Sequence, residues 1–174
     1  MRYYIITYGC QMNESDSDRL AYFLESNKLL PASSEKEADL IIINMCSVRQ
    51  TAVDRVYGKI QRIKNKKICL TGCLLKRDKI KLEKRVDLIF NIKDFSKLSR
   101  FIKKPKNIPD YFKIDLKISN FIPIMTGCNN FCTYCVVPYT RGPEVSRKPE
   151  EIEKEAKRII KKGAKIIWLL GQNV

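Results

Sequence analysis

Three short apolar runs in the first half of the chain each lead to a cysteine, and that pattern leaves few folds open. RYYIITY (2–8) runs into Gly9-Cys10, DLIIINM (39–45) into Cys46, and KICLT (67–71) into Gly72-Cys73. Short β-branched and aromatic runs of this kind read as strands. Between the first two, a polar stretch from Gln11 to Ser17 precedes a helical pattern with Leu20, Ala21, Phe23 and Leu24 on one face, and Ser15, Asp16 and Asp18 suit its start. A second helical pattern carries Val53, Val56, Ile60 and Ile63. A basic helix follows Cys73, then a fourth strand at 86–91 and a helix near 95–103. Strands alternating with helices predict an α/β fold with a doubly wound parallel sheet. In such a sheet the carboxyl ends of the strands share one edge, where these folds build their sites. Cys10, Cys46 and Cys73 are therefore expected to converge. One cysteine at a strand end reads most simply as a small buried hydrophobe; three at equivalent ends favour a metal centre. Cys69, inside the third strand, is expected to pack in the core.

A second group of thiols lies further along, in GCNNFCTYCVVPYTRG (127–142). Cys128, Cys132 and Cys135 follow the spacing C-x3-C-x2-C, and a loop this short can present all three sulfurs to one soft metal centre. No fourth cysteine follows, and the chain contains no histidine, so a structural zinc site would be one ligand short. A cubane iron–sulfur cluster suits three thiolates better, because its fourth iron is left open to a ligand that is not protein.

Composition narrows the field further. Across 174 residues, 44% hydrophobic, a packed core is expected, and no apolar run reaches the roughly 18 residues of a membrane span. The N-terminus lacks the apolar region and cleavage site of a signal peptide, so a cytosolic protein with no membrane partner is expected. Seven cysteines, an odd number, argue for metal or free thiols over a disulfide framework. The net charge of +15, from 34 basic and 19 acidic residues, fits a polyanionic partner such as RNA, and equally fits solvated lysine-rich helix faces. The missing histidine removes imidazole acid–base chemistry and HExxH zinc sites.

Three segments organise the chain: an α/β domain over 1–104, a basic, proline-broken linker over 105–118, and a further α/β segment over 119–174. In the last, NFIPIMT (120–126) reads as a strand delivering the cysteine loop, although Pro123 suits only an early or edge position. Pro149, Glu150 and Glu151 open a helix with Ile152, Ala156 and Ile159 or Ile160 on its apolar side. AKIIWLL (164–170) reads as a buried strand running into Gly171.

The cysteine loop, with Tyr134 just before its last thiol, resembles that of the radical S-adenosylmethionine (SAM) enzymes. The fuller run through Pro138, Tyr139, Arg141 and Gly142 resembles the branch of them that methylthiolates tRNA. TYGCQMNESDS (7–17), NMCSVRQTA (44–52) and TGC (71–73) resemble the N-terminal domain of the same methylthiotransferases, so the likeness covers essentially the whole chain. It implies a second [4Fe-4S] cluster on Cys10, Cys46 and Cys73, tied to sulfur insertion, and a SAM-binding [4Fe-4S] cluster on Cys128, Cys132 and Cys135. In that family SAM coordinates the open iron and is cleaved, after one-electron reduction, to a deoxyadenosyl radical; a second SAM supplies the methyl group. A radical cofactor suits an unactivated base C–H bond, where acid–base chemistry alone would struggle. The resemblance further implies a SAM pocket lined by Tyr134 and Gly171, and an electron donor. Arg49, Arg141 and Arg147 are candidates for RNA or SAM contacts, each to be weighed against an ordinary surface arginine.

Within the family, Gln11-Met12-Asn13 and Ser47-Val48-Arg49 come closest to the branch acting on N6-isopentenyladenosine beside the anticodon; the branch acting on threonylcarbamoyladenosine is the alternative. Pro143 departs from the basic residue expected after Arg141-Gly142, which weakens any substrate contact there. Length is the larger departure. The family resemblance implies a partial TIM barrel, a full (β/α)8 barrel needs on the order of 200 residues, and 119–174 provides for one strand–helix–strand unit. The sequence-based expectation is a monomeric N-terminal fragment of the transferase, inactive by itself, with a non-catalytic cluster- or RNA-binding chain as the other reading.

Overall fold

The computed structural model describes residues 1–103 and 119–174. The expected linker, 105–118, lies outside the described residues. The chain divides into two compact units, Met1–Phe112 and Lys113–Val174.

The first unit is a five-stranded parallel sheet. Its elements in chain order are β1 (Arg2–Tyr8), α1 (Gln11–Ser26), β2 (Leu30–Pro31), a 3-10 turn at Glu35–Glu37, β3 (Leu40–Cys46), α2 (Gln50–Arg62), β4 (Lys67–Cys73), α3 (Lys76–Glu83), β5 (Leu88–Ile89) and α4 (Ser96–Phe101). The spatial order is β2-β1-β3-β4-β5. The central strand β3 is buried along its whole length, as expected of an apolar run covered on both faces. Its side chains alternate between two cores. Leu40 and Ile42 join Leu20, Phe23 and Leu24 of α1 and Leu98 of α4. Ile41, Ile43 and Met45 join Val53, Val56 and Ile60 of α2 and Leu82 of α3. Helices thus cover both faces, as the sequence alternation predicts.

The strand order reverses between β1 and β3, and the helices that follow these two strands take opposite faces. That reversal opens a crevice at the carboxyl ends of the two strands, the usual binding place in open α/β sheets.

Helix α1 starts earlier than expected, at Gln11, with Cys10 as its N-cap. The polar stretch from Gln11 to Ser17 forms its first two turns, and buried Asn13, Asp16 and Ser17 stand where apolar residues would have signalled a helix. The third strand runs on to Cys73, and the fourth shrinks to Leu88–Ile89. The short edge strand β2, parallel to β1, has no counterpart in the sequence expectations.

The second unit comprises β6 (Ser119–Pro123), β7 (Met125–Thr126), α5 (Val137–Arg141), β8 (Val145–Ser146), α6 (Pro149–Lys161) and β9 (Ile166–Leu170). Strands β6 and β9 pair in parallel from Ser119↔Ile166 to Pro123↔Leu170, joined through α6. Proline stands in the first turn of α6, Glu150 and Glu151 complement the positive end of its dipole, and Ile159 is buried. The strand expected over 120–126 breaks in two at Ile124. Beyond the break, β7 pairs antiparallel with β8, and the Ile124 N–H donates to Leu170 O (2.9 Å). β9 departs from its expected burial, with Ile166, Trp168 and Leu169 about half exposed. Among the described residues, no helix is long and apolar enough to cross a membrane.

Candidate metal centres

Cys46 and Cys73 are the last residues of β3 and β4 and face each other in the register of the sheet. Cys10 lies two residues beyond β1, the neighbour of β3 on its other side. The structure thus brings all three to the carboxyl edge of three adjacent strands, flanking the crevice. By the two-residue strand period, Cys46 shares the α1 side of the sheet with Ile42 and Asn44. Cys73 shares that side with Cys69 and Thr71. Cys46 and Cys73 are buried, Cys10 is half-buried, and none of the seven cysteines is in a disulfide. Among the described residues no group of three His, Cys, Asp or Glu side chains closes on a single metal ion. A cubane distributes its protein thiolates over separate irons, so it is held from more widely spaced sulfurs than one ion needs. Three thiols on one edge, with no carboxylate or imidazole among them, fit that group by their softness.

Backbone and polar contacts fix the edge. The Ser47 N–H donates to Cys73 O (2.8 Å), and Ser47 Oγ accepts the Leu75 N–H (3.1 Å), so the segments leaving β3 and β4 are tied together. Gly72 adopts φ +110°, and a Cβ there would lie 2.2 Å from Met45 O. A Cβ on Gly9 would lie 2.5 Å from the Asn13 side chain. The glycine before each of these two cysteines therefore makes room for the packing beneath it.

Asn13 is the residue that sequence reasoning missed. It is fully buried, its Oδ1 lies 3.4 Å from Cys10 Sγ, and its Nδ2 lies 3.9 Å from Cys73 Sγ. The available signal was its position three residues after the helix cap, where a polar side chain bonds back to the cap N–H. It does so here, at 3.4 Å.

Cys69 is wholly buried in the core beneath α1 and α4. Burial, reinforced by the Asp87 carboxylate, pushes its thiol up to about 12, so no thiolate is available there at neutral pH.

In the second unit, Cys128, Cys132 and Cys135 occupy the loop between β7 and α5. Cys128 is buried, Cys135 half-buried and Cys132 exposed. The loop closes at its base, where the Cys128 N–H donates to Gly142 O (3.2 Å) and the Glu144 N–H to Asn129 Oδ1 (3.1 Å). The Cys135 N–H donates to Cys132 O (2.9 Å) in a tight turn. Gly127, at φ +82°, passes so near Pro143 O that a Cβ would come within 2.0 Å of it. Three soft, free thiols within one short loop fit an iron–sulfur cluster with an open iron.

Tyr134, beside Cys135, is 88% exposed, and Phe131 of the loop forms an edge-to-face pair with Tyr139 of α5, centroids 5.9 Å apart. Gly171 directly follows β9, with Met125 and Val174 packed where a Cβ would stand. Of the three arginines singled out from the sequence, Arg49 is exposed. Arg141 is buried at the end of α5. Arg147 donates to Glu155 Oε2 (2.6 Å) and Pro123 O (2.9 Å), tying β6 to α6.

A parallel α/β unit with free thiols along one edge, followed by a strand–helix–strand unit with a three-cysteine loop, defines the class. The chain belongs to the uncharacterized protein family UPF0004, which it matches over residues 2–91. Residues 122–174 match the radical SAM superfamily. Similar proteins include the tRNA-2-methylthio-N(6)-dimethylallyladenosine synthase of Dictyoglomus thermophilum, 39% identical over 99% of this chain and 45% of that protein. The enzyme of the same name from Carboxydothermus hydrogenoformans is 42% identical over 99% of this chain and 46% of its own length. That of Clostridioides difficile is 40% identical over 97% and 41%. The chain therefore spans less than half the length of these curated relatives.

Proposed function

We propose that this chain carries the two cluster-binding units of a tRNA methylthiotransferase, a transferase that places a 2-methylthio group on N6-isopentenyladenosine next to the anticodon. Cys10, Cys46 and Cys73 hold one [4Fe-4S] cluster. Cys128, Cys132 and Cys135 hold the other, whose open iron takes SAM. The observation that carries this reading is the presence of two separate thiol triplets, one at the carboxyl edge of the first unit's parallel sheet and one in the loop between β7 and α5 of the second. The names of the similar proteins supply the reaction and the base.

Held by Cys128, Cys132 and Cys135, a reduced cluster would supply single electrons to SAM. The chain's own residues do the rest. The tight turn from Cys132 to Cys135 and the closed base of the loop keep the three thiols within one short, backbone-tied segment. Tyr134 offers an exposed ring beside the last of them, and Gly171 follows directly on β9; both line the SAM site. Arg49, exposed just past Cys46, and the net charge of +15 attract the tRNA backbone. Arg141 and Arg147 are the weaker contacts of the three, one buried and one already paired. The setting is cytosolic, the chain a monomer, and the electrons come from a separate donor.

The test is spectroscopic. In the anaerobically loaded, reduced chain, added SAM changes the electron paramagnetic resonance signal of the second-unit cluster, and Cys132→Ala abolishes that response. A loaded chain whose spectrum ignores saturating SAM overturns the assignment.

A further inference from the structure

A buried polar network lies beneath the first thiol triplet, and Asn13 is at its centre. We propose that Asn13 is a positioning residue for the cluster held by Cys10, Cys46 and Cys73, holding the Cys10 backbone N–H with its Oδ1 and donating an N–H toward the sulfur of Cys73. This rests on the reading that those three thiols hold a [4Fe-4S] cluster.

The network itself fixes which end of the amide faces which thiol. Asn44 Nδ2 donates to Asn13 O (2.8 Å) and to Ser17 Oγ (2.9 Å), and a carbonyl can only accept. Asn44 Oδ1 is left as an acceptor and takes Asn13 Nδ2 at 2.9 Å. The same Nδ2 lies 3.4 Å from Met45 O, a second acceptor. Asn13 therefore presents its N–H2 toward Cys73 Sγ at 3.9 Å, and its Oδ1 toward Cys10, 3.4 Å from both N and Sγ. The chain of bonds continues from Ser17 Oγ to Thr7 Oγ1 (2.7 Å) on β1, so the amide is anchored to α1, β1 and β3 together.

A buried primary amide is costly unless its groups are bonded, and packing alone would be served by leucine. Two glycines make room for the arrangement: a Cβ on Gly9 would lie 2.5 Å from Asn13 Oδ1, and one on Gly72 would lie 2.5 Å from Asn44 Oδ1. An N–H directed at a ligating sulfur stabilises the extra negative charge of the reduced cluster and raises its potential.

The experiment uses the full chain carrying Cys128→Ala, Cys132→Ala and Cys135→Ala, so that only the first triplet can hold iron. Asn13→Asp keeps the shape and the acceptor for the Cys10 N–H while removing the donor; Asn13→Leu removes both. Leu24→Ala, a fully buried residue of α1 in the apolar core, controls for a general loss of stability. Both Asn13 variants are expected to lose iron to a chelator at least tenfold faster, in line with the roughly 10- to 100-fold cost of removing a hydrogen-bond partner of a metal ligand. Asn13→Asp is also expected to shift the reduction potential downward, and Leu24→Ala to move neither quantity. If both Asn13 variants keep the parent's iron-loss rate and potential, the role of Asn13 is refuted while the cluster stands. If the parent with Asn13 intact takes up no iron, the cluster reading itself fails.

Discussion

Cys73→Ala is expected to remove the iron of the first unit, about half the total, and to leave the SAM-responsive cluster intact on its own three thiolates. Cys69→Ala is expected to leave both clusters in place. The two cysteines lie on one strand and share one face, so side-chain direction does not separate them. Position along the strand does. Four residues of rise, about 13 Å, carry the chain from the core to the rim. Cys73 is at the rim, opposite Cys46 and within reach of Asn13. Cys69 is fully buried beneath α1 and α4, with a thiol pushed up to about 12. Truncating it costs about 1 kcal/mol, as a small buried deletion does. Iron per chain, measured for both variants, decides the matter. Loss of half the iron in Cys69→Ala with none lost in Cys73→Ala would reverse the ligand assignment.

Gly72→Ala is expected to cost about 3 kcal/mol or more and to loosen the first cluster with it. Two effects add. The residue sits at φ +110°, in the region that favours glycine, and its new Cβ would meet Met45 O at 2.2 Å and Met45 N at 2.9 Å. Both are atoms of the central strand and cannot move without breaking the β3–β4 ladder that sets Cys46 against Cys73. Gly58→Ala is the contrast. Gly58 lies within α2, with the tip of Arg62 at 3.9 Å as the nearest atom, and alanine there should stabilise by about 0.5–1 kcal/mol. Urea unfolding of the two variants should move in opposite directions. A Gly72→Ala chain as stable as the parent would show that the strand ends are not held as described.

The alternation of strands and helices was legible because β1, β3, α2 and α6 carry their period in apolar side chains. The thiol edge was legible for the same reason: each cysteine follows a run that could only be a strand. Helix α1 was read late because Asn13, Asp16 and Ser17 turn polar groups inward, where Asn44 and Thr7 receive two of them. No hydrophobic period marks such a turn. The same burial hid Asn13 as a partner of the thiols. The sequence offered Arg147 as an RNA or SAM contact without showing its bonds to Glu155 and Pro123 O, which form only once α6 and β6 are in place. In β9 the apolar run tells what the strand is suited to be buried against, whereas Trp168 and Leu169 are 56% and 57% exposed. Pro123, expected at an early or edge position of a strand over 120–126, is instead the last residue of β6.

The central claim is that the two thiol triplets are two iron–sulfur sites. Its most direct test is chemical iron and sulfide analysis, with electron paramagnetic resonance, of the full chain reconstituted under anaerobic conditions. The account predicts close to eight irons and eight sulfides per chain, in two spectroscopically distinct [4Fe-4S] clusters. Tight stoichiometric zinc with no bound iron would contradict it.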